Sequence, residues 1–179
     1  RGRLAEAEAS YAQAIALKPD YAEAHCNLGN ALKELGRLKE AKASYTQAIA
    51  FKPNLAEAHC NLGNTLQELG KLAEAEVSYN HAIRLKPQYA EAYSNMGNVL
   101  QEQGKIEEAI KACNKSISFR PDYAEAHKTL SFAFLNVGRL KEGLHEYEWR
   151  WKTDKFLSQE RYFSKPLWDG KESLIGKRI

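Results

Sequence analysis

The chain has 179 residues and a formal net charge of +3, and 44% of its residues are hydrophobic while 27% are charged. No stretch approaches the roughly 18 uninterrupted apolar residues of a membrane-spanning helix, so we expect no membrane partner. The segment from Trp149 to Ile179 holds eight Lys or Arg against four Asp or Glu, too weak a basic surplus to predict a nucleic-acid partner.

The first predicted element is a helix over Arg3–Leu17, which we interpret as the second helix of a truncated unit at 1–21. The chain starts inside this helical pattern, so the partner helix is expected upstream. Three cysteines are too few for a disulfide framework, which favours a reducing compartment and predicts a cytoplasmic location.

The string AEAHCNLGN occupies Ala22–Asn30 and returns unchanged at Ala56–Asn64, which is 34 positions later. Proline follows the same period, at Pro19, Pro53, Pro87 and Pro121. A fixed period of this length predicts a solenoid of stacked units rather than a single globule. We place complete units at 22–55, 56–89 and 90–123, followed by a divergent terminal unit at 124–151.

Each unit contains two apolar stripes with helical spacing, so each unit is predicted to be a hairpin of two helices. Gly36 is expected to end the first helix, because glycine tolerates the left-handed conformation found at helix ends. The pair Asp20 and Glu23, like its equivalents in the next units, is predicted to form a capping box at the start of the first helix.

This pattern resembles the tetratricopeptide repeat, whose signature combines large residues, a Leu-Gly pair, two alanines, an aromatic residue and a proline. In the unit at 22–55 the signature residues are His25, Leu28, Gly29, Leu32, Ala41, Tyr45, Ala48 and Pro53. The resemblance covers about residues 1–151. It implies an all-α fold, a right-handed α-solenoid of tandem helix–turn–helix repeats that binds protein or peptide partners.

The recurring His and Cys of AEAHCNLGN do not predict a metal site. Neighbouring repeats are displaced by about 10 Å, the distance between packed helices, whereas two ligands of one zinc ion must each lie about 2 Å from it. We therefore predict no metal and no cofactor. No phosphate-binding glycine loop or catalytic triad pattern occurs either, so the chain is not predicted to be an enzyme by itself.

Polar columns in the first helices provide the candidate peptide-binding site. Asparagine is a poor helix former, so six of them in two columns need an explanation. Their amides complement the N–H and C=O groups of a peptide backbone, and for the second column hydrogen bonds between repeats are an equal alternative. The candidate residues are Asn27, Asn61 and Asn95 in the first column, Asn30, Asn64 and Asn98 in the second, and Lys33, Gln67 and Gln101 in a third.

The first column also resembles the superhelical repeats of O-GlcNAc transferases, in which asparagines line the groove and contact substrate peptides. The resemblance implies this role for Asn27, Asn61 and Asn95. A basic clamp for the carboxylates of a chaperone C-terminus, known in other members of the family, would require Lys or Arg where this chain has Cys26, Cys60, Ser94 and Lys128. Only Lys128 meets that requirement, so the clamp is not predicted.

The residues at 152–179 form an aromatic-rich tail, which we interpret as a junction to a missing downstream domain. With the end of the preceding helix, it resembles the junction between tetratricopeptide repeats and a glycosyltransferase-like domain in bacterial proteins. The prediction is a protein–protein interaction module that binds extended peptides in a concave groove and presents substrates to such a domain. The alternative is a free-standing assembly scaffold without an enzyme. Self-association through the terminal repeats is a further possibility.

Overall fold

The computed structural model describes residues 2–149, and these residues form helices connected by short turns. The helices are α1 (Gly2–Leu17), α2 (Ala22–Glu34), α3 (Leu38–Phe51), α4 (Ala56–Glu68), α5 (Leu72–Leu85), α6 (Ala90–Glu102), α7 (Ile106–Phe119), α8 (Ala124–Asn136) and α9 (Leu140–Tyr147). No helix among them is both long enough and apolar enough to cross a bilayer. The predicted tail at 152–179 lies outside the described residues.

The helices pack as successive antiparallel hairpins, α2 with α3, α4 with α5, α6 with α7 and α8 with α9. Each second helix also packs against the first helix of the next hairpin, and α1 packs against α2. Contacts therefore join neighbours along the stack, as expected for a solenoid. The predicted all-α solenoid of tandem repeats is confirmed over the part of the chain that the structure describes.

The cores of two hairpins, α2–α3 and α4–α5, contain a close fit between a glycine and an aromatic ring. Tyr79 on α5 is fully buried, and a Cβ atom added to Gly63 on α4 would lie 2.6 Å from its Cε1 atom. Tyr45 and Gly29 repeat this arrangement with the same distance. The small residue in the Leu-Gly pair therefore makes room for the ring.

The turn inside each hairpin is also built on glycine. Gly36 has φ +77°, and its N–H bonds the carbonyl of Lys33 while the N–H of Arg37 bonds the carbonyl of Leu32, both at 2.9 Å. These two bonds define a Schellman motif, which satisfies carbonyls at the helix end. The prediction that Gly36 ends the first helix is confirmed.

Changing Gly70 to alanine tests the turn without introducing a clash. Gly70 has φ +73°, and nothing lies within 4 Å of an added Cβ atom, so the cost is that of the left-handed backbone alone. We expect Gly70→Ala to lower the free energy of unfolding by about 1 kcal/mol, measured by urea denaturation. Gly70→Asn should lose less, because asparagine tolerates this conformation. Equal stability of the wild type and Gly70→Ala would contradict the left-handed conformation of Gly70 in this turn.

The predicted capping boxes are wrong. The cap residue of α2 is Tyr21, one position after Asp20, and its side chain makes no capping hydrogen bond. The equivalent caps are Leu55, Tyr89 and Tyr123. Leu55 and Tyr89 pack against the hydrophobic clusters around Tyr45 and Tyr79, so burial of the large residue sets where the helix begins. Glu23 instead forms an ion pair with Lys52 at 2.6 Å.

Candidate peptide-binding groove

The two asparagine columns lie on the first helices α2, α4 and α6, which are neighbours in the stack. We call the surface of these helices that carries the columns the groove face. Between α2 and α4 it contains a cleft of about 370 Å³. The cleft is lined by Asn30, Lys33, Glu34, Tyr45, Glu57, Asn61 and Glu68. Members of all three predicted columns are thus brought together in one depression.

The amides of adjacent repeats are joined by a relay of hydrogen bonds. The hydroxyl of Tyr45 donates to Oδ1 of Asn30 at 2.7 Å, and Nδ2 of Asn61 on the next hairpin donates to the same oxygen at 2.9 Å. The buried tyrosine thus fixes Asn30, and Asn30 in turn positions Asn61. The second column therefore links neighbouring repeats, which was one of its two predicted roles.

The same relay recurs one repeat later, with both bonds at 2.8 Å. The hydroxyl of Tyr79 and Nδ2 of Asn95 both donate to Oδ1 of Asn64. At the next junction the hydroxyl of Thr129 donates to Oδ1 of Asn98 at 2.7 Å, so threonine replaces the first-column amide. The first column is therefore also part of the stack, a role that the sequence pattern predicted only for the second column.

The relay leaves part of each amide open to a ligand. Asn95 uses one N–H in the relay, so a second N–H and the oxygen stay available, whereas the amide of Asn61 also hydrogen bonds Cys26 and keeps its oxygen. Asn30 uses its oxygen, so its two N–H groups stay available. The side chain of Asn27 is exposed and has no hydrogen-bond partner within the described residues. Each junction thus offers both donors and an acceptor, the set that a peptide unit requires.

The third column differs between repeats. Lys33 forms an ion pair with Glu68 at 3.3 Å, whereas Nε2 of Gln67 donates to Oε1 of Glu102 at 2.6 Å. Oε1 of Gln67 lies 3.3 Å from the hydroxyl of Tyr79, next to the relay. Gln101 is half-buried. Lys33 and Gln67 thus connect the amides to a row of carboxylates.

The histidines of the repeated string have a structural role in the hairpins. Nε2 of His25 donates to the carbonyl of Pro19 at 2.9 Å, and Nε2 of His59 donates to the carbonyl of Pro53 at 3.0 Å. His127 and Pro121 form the same bond at 2.8 Å. Burial lowers the pKa of His59, which keeps the ring neutral. No group of three or more His, Cys, Asp or Glu suited to a metal ion occurs within residues 2–149.

The three cysteines, Cys26, Cys60 and Cys113, are free and buried. Burial raises the pKa of Cys26 to about 11 and the pKa values of Cys60 and Cys113 to about 12. Only the thiolate is a good nucleophile or metal ligand. These side chains are therefore protonated near neutral pH and contribute to packing.

Comparisons with known proteins agree with this architecture. A family model described as "TPR repeat" matches residues 1–36, 29–70 and 66–104, and one described as "Tetratricopeptide repeat" matches residues 90–123. A comparison with curated proteins gave no match.

Solved structures with the same fold include MamA, with 23% identity, a TM-score of 0.77 and coverage of 89% of this chain and 93% of that chain. YrrB, described as a TPR protein with an unusual peptide-binding site, has 21% identity, a TM-score of 0.70 and coverage of 86% and 79%. The first TPR of Spaghetti (RPAP3), bound to the HSP90 peptide SRMEEVD, has 27% identity, a TM-score of 0.64 and coverage of 65% and 93%.

Proposed function

The chain belongs to the tetratricopeptide repeat family, and we propose that its groove face binds extended segments of partner proteins through the asparagine amides. The observation that carries this proposal is the relay, which holds donors and acceptors in the same orientation at successive junctions. Amides fixed by the stack have little side-chain entropy left to lose when a ligand binds. Peptide binding by the structural neighbours YrrB and Spaghetti supports the proposal.

The amides contact a peptide backbone rather than its side chains, so we expect broad sequence tolerance. The acidic peptide SRMEEVD, bound by the first TPR of Spaghetti, is a poor candidate for this chain. The clamp positions hold Cys26, Cys60 and Ser94, which cannot neutralise carboxylates, and Lys128 forms an ion pair with Glu125. Binding rather than catalysis is the proposed activity of these residues.

The test removes the first-column amides while keeping the stack intact. The replacement residue is taken from the last repeat of this chain, which has threonine in that column. Thr129 makes the link to Asn98 without an amide, so Asn61→Thr and Asn95→Thr are expected to preserve the bonds to Asn30 and Asn64. Combined with Asn27→Ala, these changes should weaken binding of short unstructured peptides by about tenfold or more, because each lost hydrogen bond is worth about 1 kcal/mol. Fluorescence anisotropy with a labelled peptide library measures this effect.

The thermal unfolding midpoint of the triple variant serves as the control, since an intact relay should leave it close to that of the wild type. Unchanged peptide affinity in a variant that is folded to the same extent would contradict the amide ladder. Loss of both affinity and stability would show that threonine does not replace the link. In that case Asn27→Ala alone, at the exposed position, decides the question.

Presentation of bound substrates to a glycosyltransferase-like domain is an extension of this proposal. Its support is the sequence resemblance around Pro166–Gly170, which lies outside the described residues. A transferase domain in the full-length protein would support the extension, whereas its absence there would favour the free-standing scaffold.

A further inference from the structure

The groove face is acidic, although the chain as a whole carries a net charge of +3. Two columns of glutamate flank the asparagines on the first helices. Lys33 and Lys128 are the only Lys or Arg residues of α2, α4, α6 and α8. The two glutamate columns are Glu23, Glu57, Glu91 and Glu125, and Glu34, Glu68 and Glu102. Three of these carboxylates, those of Glu34, Glu57 and Glu68, line the cleft at the α2–α4 junction.

Several of these carboxylates have no cationic partner. Within residues 2–149, no Lys, Arg or His nitrogen lies within 4 Å of the carboxylates of Glu34, Glu57, Glu91 or Glu102. The other three glutamates are paired, Glu23 with Lys52, Glu68 with Lys33 and Glu125 with Lys128. Like charges that face one cleft repel each other, and a bound cation would remove that repulsion.

The α4–α6 junction is the most negative part of the groove face. Gln67 replaces Lys33 there, so no cation balances the carboxylates of Glu91 and Glu102. Burial raises the pKa of Tyr79, and the charges of Glu91, Glu102 and Glu68 raise it further. Since the hydroxyl of Tyr79 anchors the relay at Asn64, these carboxylates act on the same site as the amides.

We propose that the groove face selects extended segments rich in Lys or Arg, with the basic side chains at the α4–α6 junction. This inference rests on the proposed function, because the amides hold the peptide backbone while the glutamates decide its charge. Glu91 and Glu102 at this junction, and Glu57 in the neighbouring α2–α4 cleft, are the specificity-determining residues. This preference for Lys or Arg is the opposite of that of a basic clamp, which binds carboxylates.

The test compares three peptides of one sequence that carry Lys, Gln or Glu at the same positions, each bound to the full 179-residue chain. We expect affinity in the order Lys, Gln, Glu, with at least about tenfold between the first and the last at low salt. The difference should shrink at about 1 M salt, where the Debye length is only about 3 Å. Fluorescence anisotropy at both salt concentrations provides the measurement.

The triple variant Glu57→Gln, Glu91→Gln, Glu102→Gln should abolish the preference for the Lys peptide and keep the affinity for the Gln peptide. The control is Glu107→Gln with Glu108→Gln, which removes two exposed carboxylates from the second helix α7 and should leave the preference intact. Equal loss of preference in the control would show a general charge effect and overturn the assignment.

The outcomes separate this inference from the proposed function. If all three peptides bind equally and the asparagine variant weakens all of them, the amide groove stands and the charge selectivity is wrong. If no peptide binds the monomeric chain, both proposals fail. A salt-sensitive oligomer that binds none of the peptides would point to the basic residues 150–179 of a second copy as the occupant, which would overturn the choice of partner.

Discussion

Replacing Tyr79 with alanine is expected to lower the free energy of unfolding by about 3–5 kcal/mol, the usual cost of deleting a large buried aromatic ring. The ring is fully buried against Gly63, and its hydroxyl anchors Asn64 in the relay. A loss of this size is a large share of the stability of a typical domain. Urea denaturation followed by circular dichroism measures it directly.

Two control variants show how much of this loss comes from the hydroxyl group and how much depends on full burial of the ring. Tyr79→Phe keeps the ring and removes only the hydroxyl, so about 1 kcal/mol should be lost. Tyr11→Ala deletes the same side chain in the same repeat column, but Tyr11 on α1 is only half-buried, so the expected loss is smaller. Equal losses for Tyr11→Ala and Tyr79→Ala would contradict the tight packing of Tyr79.

Changing Gly63 to alanine is expected to lower the free energy of unfolding by about 1–3 kcal/mol through overpacking. The added Cβ atom would lie 2.6, 2.8 and 2.9 Å from three atoms of the Tyr79 ring, closer than normal contact allows. Helix propensity alone predicts the opposite sign, a gain of about 1 kcal/mol for alanine over glycine. The sign of the measured change therefore decides between the two effects.

The control for this change is Gly2→Ala in α1, where nothing lies within 4 Å of the added Cβ atom. Its thermal midpoint should match or slightly exceed that of the wild type. Stabilisation by Gly63→Ala would mean that the ring moves aside at low cost, and the close approach would then have no energetic role.

The fold could be predicted from the sequence because each hairpin depends on short-range signals that recur every 34 residues. The turn at Gly36 and the stripe that contains Tyr45 are visible in a single unit. The start of each first helix was missed, since Tyr21 rather than Asp20 is its cap. A capping motif is a local preference, and at the next two first helices the packing of Leu55 and Tyr89 against the hydrophobic clusters overrides it.

The groove was harder to predict than the fold. The asparagine columns were predicted. The role of Asn61 in linking the repeats was not, because it depends on a bond to Asn30, which lies 31 positions earlier on another helix. The charge of the face was missed for a similar reason. Glu57 and Glu68 are far apart on one helix, and they line the same cleft only when the repeats are stacked.

The three buried cysteines are natural probes of how often each hairpin opens. Cys26, Cys60 and Cys113 lie in three successive hairpins, and each is shielded from water and fully protonated while its hairpin is closed. An alkylating reagent can therefore react only when a hairpin opens, and the labelling rate at each site reports how often that happens. Mass spectrometry of the three alkylated thiols would thus show, without any engineered probe, whether local opening of the hairpins begins at an end or in the middle of the stack.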